Sequence, residues 1–375
     1  MLKTWTAVAL AGALVLSAAA CGSDDDSGTT AAAGTGASTA ASSAGGESAK
    51  IALLLPENKT TRYENQDRPS FEKKVKELCP ACEVLYSNAS QDAAKQQQQA
   101  EQAITNGAKV LVIDAVDVAA AAGIARTAKQ QGVPVVSYAR LIADAPLDAY
   151  VSIDPYKVGV QQGDALAQAL DAKGGAKNVV MINGAPTDSN SAPYKNGAHD
   201  ALDKAGVKVV KEFDTPDWSP DKAQTEMEQA ITGVGKDGFT GVYSANDGMA
   251  GGAIAAMKSA GIDPADRPTT GQDAEVAGLQ RILAGDQLMT VYQPINEIAS
   301  TAAELAVPLA QGKGLPDGVT TGTTDNGAGK IPSVLLDTIA ITKDNVDTVI
   351  KDGFATVDQI CTGPYKQACA DAGIS

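Results

Sequence analysis

From residue 50 onward, short apolar runs rich in β-branched residues alternate with longer stretches whose apolar positions recur at helical spacing. Two of the helical stretches are followed by Gly107 and Gly132, where a helix C-cap favours glycine. Nearly continuous apolar strands that alternate with helices are typical of a parallel sheet covered on both faces. The pattern predicts strands over 51–55, 83–87, 109–114, 133–138 and 149–153, separated by helices over 68–78, 91–106 and 117–131.

The same pattern then begins a second time. Each strand-plus-helix step spans about 25 to 32 residues, which fits a βαβ unit. Strands are predicted over 177–183, 207–213, 239–245, 267–271 and 287–292, the last running to Gln293, with helices over 190–205, 221–233, 247–260 and 274–284. The sequence therefore predicts an α/β fold of two doubly wound, Rossmann-like lobes, with the first crossover between them at 153–155.

Polar side chains follow most of the predicted strands. In the segment YSANDGM, Asn246 and Asp247 stand between a strand and a helix, where either residue could cap the helix. Capping accounts for two or three such strand ends, but the feature recurs in both halves of the chain. The other ends carry Pro56–Asn58, Asp114, Arg140, Asp154, Asn183, Gln272–Asp273 and Gln293. Because ligands of open α/β sheets bind at the carboxyl ends of strands, the recurrence predicts a polar cleft between the lobes.

Amide, carboxylate and guanidinium groups suit a ligand that is dense in hydroxyls, since each hydroxyl both donates and accepts hydrogen bonds. Tyr63 and Trp218 could cover the C–H faces of a sugar ring, or could simply pack between the lobes. The single histidine, His199, lies in a helical stretch, and the sequence has neither a P-loop nor an HExxH motif. We predict a binding protein with no catalytic residue, no cofactor and no metal ion.

The N-terminus predicts export. Residues 1–20 form a signal peptide with one early cation, an apolar core and small residues before Cys21. The run LSAAAC resembles the lipidation site of bacterial lipoproteins, although Ala18 stands where leucine is commoner. The alternative is a plain cleaved signal followed by a spare cysteine. Residues 21–49 contain no large apolar residue and are expected to be a flexible tether.

Composition narrows the possible partners. The chain of 375 residues has a formal net charge of -15 and a pI of about 4.5, which argues against nucleic acid or an anionic membrane surface as a partner. After residue 20 no apolar run is long enough for a membrane helix, so contact with the membrane is expected through the lipid anchor only. Four cysteines remain after Cys21, and outside the cell an even number suggests disulfides. Of the three connectivities we predict the local one, Cys79–Cys82 with Cys361–Cys369.

Several longer stretches carry a resemblance. They are YARLIADAPLDAYVSID (138–154), NGAPTDSN (183–190), SANDGMAGGAIAAM (244–257), GQDAEVAGLQRILAGDQLMTVYQPI (271–295) and IKDGF (350–354). Over about 50–354 the chain resembles the type I sugar-binding proteins of bacterial ABC importers, whose members include binders of xylose, ribose and galactose. The resemblance implies a non-catalytic monomeric receptor, with two lobes joined by three crossings that close around one monosaccharide and present it to a membrane permease.

The resemblance also implies a set of ligand residues and a division into lobes. Asn246 is expected to bind the sugar and Asp247 to be the helix cap. The implied N-lobe is 50–153 plus 293–327, and the implied C-lobe is 154–292 plus 328–375. The implied sugar-binding residues are Arg62, Tyr63, Arg140, Asp188, Asn190, Trp218, Asn246, Asp273 and Gln293.

Two departures bear on which sugar is bound. The family usually has Asp-Arg where this chain has Ala139–Arg140, so one carboxylate that would accept from a sugar hydroxyl is missing. Gln293 stands where the xylose binders have lysine and resembles the glutamine of the ribose binders. Another group could replace the carboxylate, the preferred sugar could differ, or a water could fill the gap. We predict a lipid-anchored pentose receptor of an ABC importer; a receptor that feeds a sensor kinase and a secreted glycoside-processing enzyme are the alternatives.

Overall fold

The computed structural model describes residues 48–374. The predicted signal peptide, the lipidation site at Cys21 and nearly all of the predicted tether lie outside these residues. The strands are β1 Lys50–Leu55, β2 Glu83–Asn88, β3 Ala108–Ile113, β4 Val135–Tyr138, β5 Ala149–Ile153, β6 Asn178–Asn183, β7 Lys208–Asp214, β8 Gly241–Ser244, β9 Thr290–Tyr292, β10 Gly322–Asp325, β11 Lys330–Leu336 and β12 Ile339–Ile341. The α-helices are α1 Arg68–Leu78, α2 Ala93–Thr105, α3 Val118–Gln130, α4 Pro155–Lys173, α5 Ser191–Lys204, α6 Pro220–Val234, α7 Asp247–Ser259, α8 Val276–Ala284, α9 Ile295–Ala310, α10 Asp347–Lys351, α11 Val357–Ile360 and α12 Lys366–Asp371.

The strands form one sheet in the first lobe and a smaller group of strands in the second lobe. The first has seven strands in the order β10-β11-β5-β4-β3-β1-β2, parallel except for the pair β10–β11. The second has the parallel strands β7-β6-β8. Single bridges from Val242 to Thr269 and from Gln272 to Val291 extend it toward the antiparallel pair β9–β12. The predicted α/β fold of two lobes is confirmed.

The chain passes between the two lobes three times. The passages lie between β5 and α4, between β9 and α9, and between β11 and β12. Helix α9 packs against β1, β3, β4 and β5, so it returns the chain to the first lobe after β9. Helix α4 packs against α5 and β8 in the second lobe. These passages place the carboxyl ends of both parallel sheets opposite each other.

The first sheet is buried on both faces. Ile51, Leu53 and Leu55 belong to one apolar cluster, whereas the alternate residues Ala52 and Leu54 belong to the cluster on the other face. Burying each large side chain of this kind stabilises the fold by about 1.5–3 kcal/mol. This two-sided burial explains why the strands read as unbroken apolar runs rather than as alternating ones.

Residues after 327 depart from the predicted lobe division. The sequence analysis assigned 328–375 to the C-lobe, but β11 pairs in parallel with β5 of the first sheet, Ser333 opposite Tyr150. The pairing buries Ile331 and Val334 against that sheet. β10 and β11 form an antiparallel pair in which β11 joins β5 and β10 becomes the edge strand. The sequence analysis predicted no strand in this part of the chain, so it had no basis for assigning it to the first sheet.

The sequence analysis also missed two long helices, the three short helices α10, α11 and α12 and the strands β10, β11 and β12, and it overstated one strand. Helices α4 and α9 were not predicted; α4 contains two glycines and α9 contains Pro308, residues that weaken the helical signal. The predicted strand over 267–271 forms only one isolated bridge, from Thr269 to Val242, in keeping with Pro268, which has no N–H to donate.

Two disulfides are present in the described chain, and they follow the local pairing predicted above. One joins Cys79 to Cys82 at the end of α1, with Cα atoms 5.3 Å apart. The other joins Cys361 to Cys369 with Cα atoms 5.8 Å apart. Within residues 48–374, none of the helices combines the length and the apolar character needed to span a bilayer.

Substitution of Gly159 in α4 tests the close packing of α4 on α5. A Cβ at this position would lie 2.0 Å from the carbonyl oxygen of Tyr194. We expect Gly159→Ala to lower the free energy of unfolding by about 1–3 kcal/mol because the helices must move apart. Gly123→Ala in α3 is the matched control, since its Cβ meets nothing within 4 Å. Urea unfolding measures both; equal stability of the two variants would contradict the packing argument.

Candidate ligand-binding cleft

A cavity lies between the facing strand ends, and all nine predicted ligand residues line it. They are Arg62, Tyr63, Arg140, Asp188, Asn190, Trp218, Asn246, Asp273 and Gln293. Six further residues that the sequence analysis did not assign as ligands complete the wall. These are Thr60, Ala139, Ser152, Tyr194, Gln272 and Ile298.

Arg62 is held by a short π-helical segment, Tyr63–Asp67, that follows β1. The segment turns Asp67 back onto the guanidinium, which donates from Nε to Oδ2 at 3.0 Å and from Nη2 to Oδ1 at 2.8 Å. The Tyr138 hydroxyl also donates to Asp67. Burial by itself lowers the pKa of Arg62, but the Asp67 carboxylate outweighs it and raises that pKa well above its ordinary value. The bidentate pair fixes one cation in the wall of the cavity.

Arg140 is shared between the two lobes. Its Nε lies 2.7 Å from Asp188 Oδ2, across the cleft, and 3.4 Å from Asp114 Oδ1, on its own side. Nη1 donates to the carbonyl oxygen of Ala115 at 2.6 Å, and Nη2 reaches the hydroxyl of Tyr63 at 3.4 Å. Burial lowers the pKa of Arg140, but Asp188 outweighs it, so that the pKa is raised and the guanidinium stays charged.

Asp188 organises the opposite wall. Its Oδ2 accepts from Nε1 of Trp218 at 3.1 Å, and its Oδ1 accepts from the backbone N–H of Asn190 at 2.8 Å. The Trp218 ring meets Tyr194 edge to face, with ring centres 6.2 Å apart. A Cβ at Gly184 would lie 2.2 Å from the indole, so glycine is needed there for the ring to reach the cavity.

Asn190 crosses the cleft to a strained residue. Its Nδ2 donates at 3.0 Å to the carbonyl oxygen of Ala139, which also accepts from Ser152 Oγ at 2.6 Å. Ala139 has φ +57°, a left-handed conformation that side chains with a Cβ rarely adopt. Two hydrogen bonds from opposite lobes hold this conformation beside Arg140, which suits a site whose backbone is part of the binding surface.

Asn246 both caps a helix and lines the cavity. Its Oδ1 accepts from the backbone N–H of Met249 at 3.0 Å and so caps α7. The expectation that Asp247 is the cap is wrong, because its side chain turns into the lobe. There it accepts from Gln287 Nε2 at 2.6 Å and Thr290 Oγ1 at 2.9 Å, and burial raises the pKa of Asp247 to about 8.

A second strained turn carries Asp273. The residue has φ +90° and the following Ala274 has φ +48°. The turn is held because the Asp273 N–H donates to the carbonyl oxygen of Val291 at 2.9 Å. Gln293 Nε2 donates to Asp273 Oδ1 at 3.0 Å, and Nη1 of Arg62 approaches the same oxygen at 3.8 Å. Burial raises the pKa of Asp273, and Arg62 opposes this rise.

The cleft is closed, and polar contacts join its two walls. Besides the pairs Arg140–Asp188 and Arg62–Asp273, the backbone N–H of Thr61 donates to Glu275 Oε1 at 3.1 Å. Four buried carboxylates surround the two buried guanidinium groups of the site. They are Asp67, Asp114, Asp188 and Asp273. Around the cavity, buried carboxylates therefore outnumber buried guanidinium groups. These surroundings favour a ligand that supplies hydroxyl donors over an anion.

The family model for the periplasmic binding protein domain matches residues 51–314. The chain belongs to the type I family of periplasmic binding proteins. It is 36% identical to the D-xylose-binding periplasmic protein of Escherichia coli, over 82% of this chain and 91% of that protein. It is 35% identical to the protein of the same description in Haemophilus influenzae, over 83% of this chain and 92% of that one.

A solved structure agrees with the sequence relatives. The solute-binding protein of an ABC transporter from Clostridium phytofermentans, determined with bound β-D-glucose, superposes with a TM-score of 0.74 at 27% identity. The match covers 83% of this chain and 99% of that protein. These relatives are solute-binding proteins and not enzymes, so the resemblance to the type I sugar-binding family is confirmed and the enzyme alternative is dropped.

Several functional contacts could not be read from the sequence. Asp67 lies in a helical segment rather than at a strand end, so nothing marked it as the partner of Arg62. Tyr194 lies on α5, and its spacing is that of an ordinary core residue. Ser152 falls inside the apolar strand β5, and its isolated polar character was the one available signal.

Substitution of Gly184 tests the placement of the indole. Trp218 is the single tryptophan of the chain after residue 20, so tryptophan fluorescence excited apart from tyrosine reports on this wall alone. We expect Gly184→Ala to displace the ring toward solvent and to shift its emission to longer wavelength. Gly233→Ala is the control, because a Cβ there meets nothing within 4 Å. An unchanged spectrum in folded Gly184→Ala would refute the contact.

Proposed function

We propose that the protein is an extracytoplasmic receptor that captures a neutral monosaccharide, a pentose such as xylose, and delivers it to the permease of an ABC importer. The observation that carries the proposal is the convergence of the nine predicted ligand residues from both lobes on one closed cavity. The Escherichia coli and Haemophilus influenzae relatives, described as D-xylose-binding proteins, support a pentose as the ligand.

The wall has the chemistry that a polyhydroxylated ring needs. Arg62 and Arg140 donate in fixed planes, Asp188 and Asp273 accept, and Asn246 can do both. The indole of Trp218 supplies a flat apolar face for the C–H side of the ring. The excess of carboxylates disfavours sugar acids and sugar phosphates, whose charge would be repelled.

Ligand capture is coupled to closure of the lobes. The ligand would bridge groups that belong to opposite sheets, such as Arg140 of the first lobe and Asn246 of the second. A ligand that contacts both walls stabilises the closed form by its differential affinity for the two forms. From the three passages we propose lobes of 50–153 plus 293–336 and of 154–292 plus 337–375. The receptor acts as a monomer and presents its closed form to permease subunits; coupling to a sensor instead is the second candidate.

Titration calorimetry tests the proposed ligand. Xylose, ribose, arabinose, glucose and galactose are titrated into residues 21–375, and we expect one-to-one binding of a pentose in the submicromolar range, about -8 kcal/mol or tighter. Binding of none of them would overturn the sugar assignment. Tight binding of a hexose alone would show that the ligand is a hexose and not a pentose.

Two variants of Asn246 separate its two roles. Asn246→Asp keeps the cap of α7 but replaces two N–H donors by a charge, so affinity should fall about tenfold or more while the melting temperature changes little. Asn246→Ala should lose both affinity and stability. Asp92→Asn is the control, since it exchanges one good cap for another at α2, away from the cavity. Full affinity in Asn246→Asp would contradict a ligand role.

The anchor can be tested independently of the ligand. Signal cleavage before Cys21 and lipidation of its sulfur would place the receptor on the outer side of the cell membrane. We expect mass spectrometry of the membrane fraction to show a chain that begins at a diacylated Cys21. A soluble, unmodified chain, or retention of residues 1–20, would refute the anchor without affecting the receptor role.

A further inference from the structure

Trp218 lies on a strained segment of the second lobe, residues 215–219, which we call the indole segment. Asp217 has φ +62° and Trp218 has φ +53°, so two consecutive residues with a Cβ adopt the left-handed conformation. Such a pair costs free energy and persists where neighbouring contacts enforce it. On the same lobe, the indole N–H donates to Asp188 at 3.1 Å, a bond that holds the ring rather than the backbone that carries it.

The first lobe contacts the indole segment on both sides of the tryptophan. Nε2 of Gln91 donates to the carbonyl oxygen of Asp217 at 3.2 Å, and Nζ of Lys59 lies 3.5 Å from Oγ of Ser219. Lys59 follows β1 and Gln91 follows β2, whereas the indole segment follows β7, so both contacts cross the cleft. They belong to the closed form and would be lost when the lobes part.

Gln91 is presented by a turn that is itself firmly held. Ser90 has φ +55° and Gln91 has φ +66°. The N–H of Gln91 donates to the carbonyl oxygen of Pro56 at 2.8 Å, and the N–H of Ser90 donates to Asn88 Oδ1 at 2.9 Å. Because Pro56 begins the loop that carries Lys59, both contacts come from one connected part of the first lobe. A side chain presented in this way loses little entropy when the lobes close.

We propose that Gln91 is a positioning residue for the stacking tryptophan. On closure, its bond to the Asp217 carbonyl fixes the indole segment and so holds the Trp218 ring against the face of the bound monosaccharide. Lys59 supports the same placement from the other side. Gln91 is not among the residues that line the cavity, so it raises affinity through the indole, mainly by slowing dissociation. The inference rests on the proposed closure around a sugar.

Gln91→Met tests this role, because it keeps the length of the side chain and removes the N–H donor. D-xylose dissociation, followed by tryptophan fluorescence, should become about three- to tenfold faster, with association little changed. In the xylose-saturated protein, acrylamide should quench Trp218 about twofold more strongly than in the wild type, since the ring is less firmly held. Gln97→Met, at an exposed position of α2, is the matched control. Wild-type dissociation and quenching in Gln91→Met would overturn the proposal.

A double-mutant cycle separates positioning of the indole from a simple contact between the lobes. In a Trp218→Ala background, Gln91→Met should weaken xylose binding less than about twofold, because the ring that it positions is gone. Losses that add in full would overturn the proposal and make Gln91 a contact that acts on closure alone. If Trp218→Ala does not fold, the quenching measurement still decides between the two.

A cross-link gives a test that needs no sugar. The pair Gln91→Cys and Asp217→Cys should form a disulfide on mild oxidation of the ligand-free protein, because one side-chain hydrogen bond joins these residues in the closed form. The pair Gln91→Cys and Glu228→Cys is the control, since Glu228 lies about two turns into α6 and should not react. Failure of the first pair to cross-link, with and without xylose, would overturn the contact. If the wild type binds no xylose, the sugar assignment fails, while the cross-link still decides whether the first lobe holds the indole segment.

Discussion

Two arginines are buried between the lobes, and the rest of the site depends on keeping them charged and paired. A buried guanidinium without partners would cost several kcal/mol, so each is surrounded by carboxylates. Arg62 has Asp67 on its own lobe and Asp273 opposite, and Arg140 has Asp114 on its own lobe and Asp188 opposite. Each cation thus has one partner that moves with it and one that lies across the cleft.

In the proposed opening of the cleft, this duplication would leave each cation beside a carboxylate. The partner on the same lobe remains when the lobes part, whereas the partner across the cleft contributes only to the closed form. The two arginines differ in how closely the carboxylate on their own lobe pairs with them. Asp67 forms a bidentate pair, whereas Asp114 lies 3.4 Å from Nε of Arg140.

Several of the proposed ligand residues are held by strained or tightly packed backbone. Ala139, Trp218 and Asp273 have positive φ values, and glycine at 184 makes room for the indole. Such conformations cost free energy and persist because neighbouring hydrogen bonds enforce them. Rigid groups lose little entropy when a ligand binds, which converts local strain into affinity.

The sequence by itself determined the class of fold and the candidate ligand residues. Strand periodicity is local, and parallel strands share one edge for their carboxyl ends, so Arg140, Asn246 and Asp273 could be expected to converge. Only the tertiary structure decided which carboxylate pairs with which arginine, where β11 joins the sheet, and that Asn246 rather than Asp247 caps α7. These outcomes depend on contacts between residues far apart in the chain, and the energies of such contacts leave no periodic trace in the sequence.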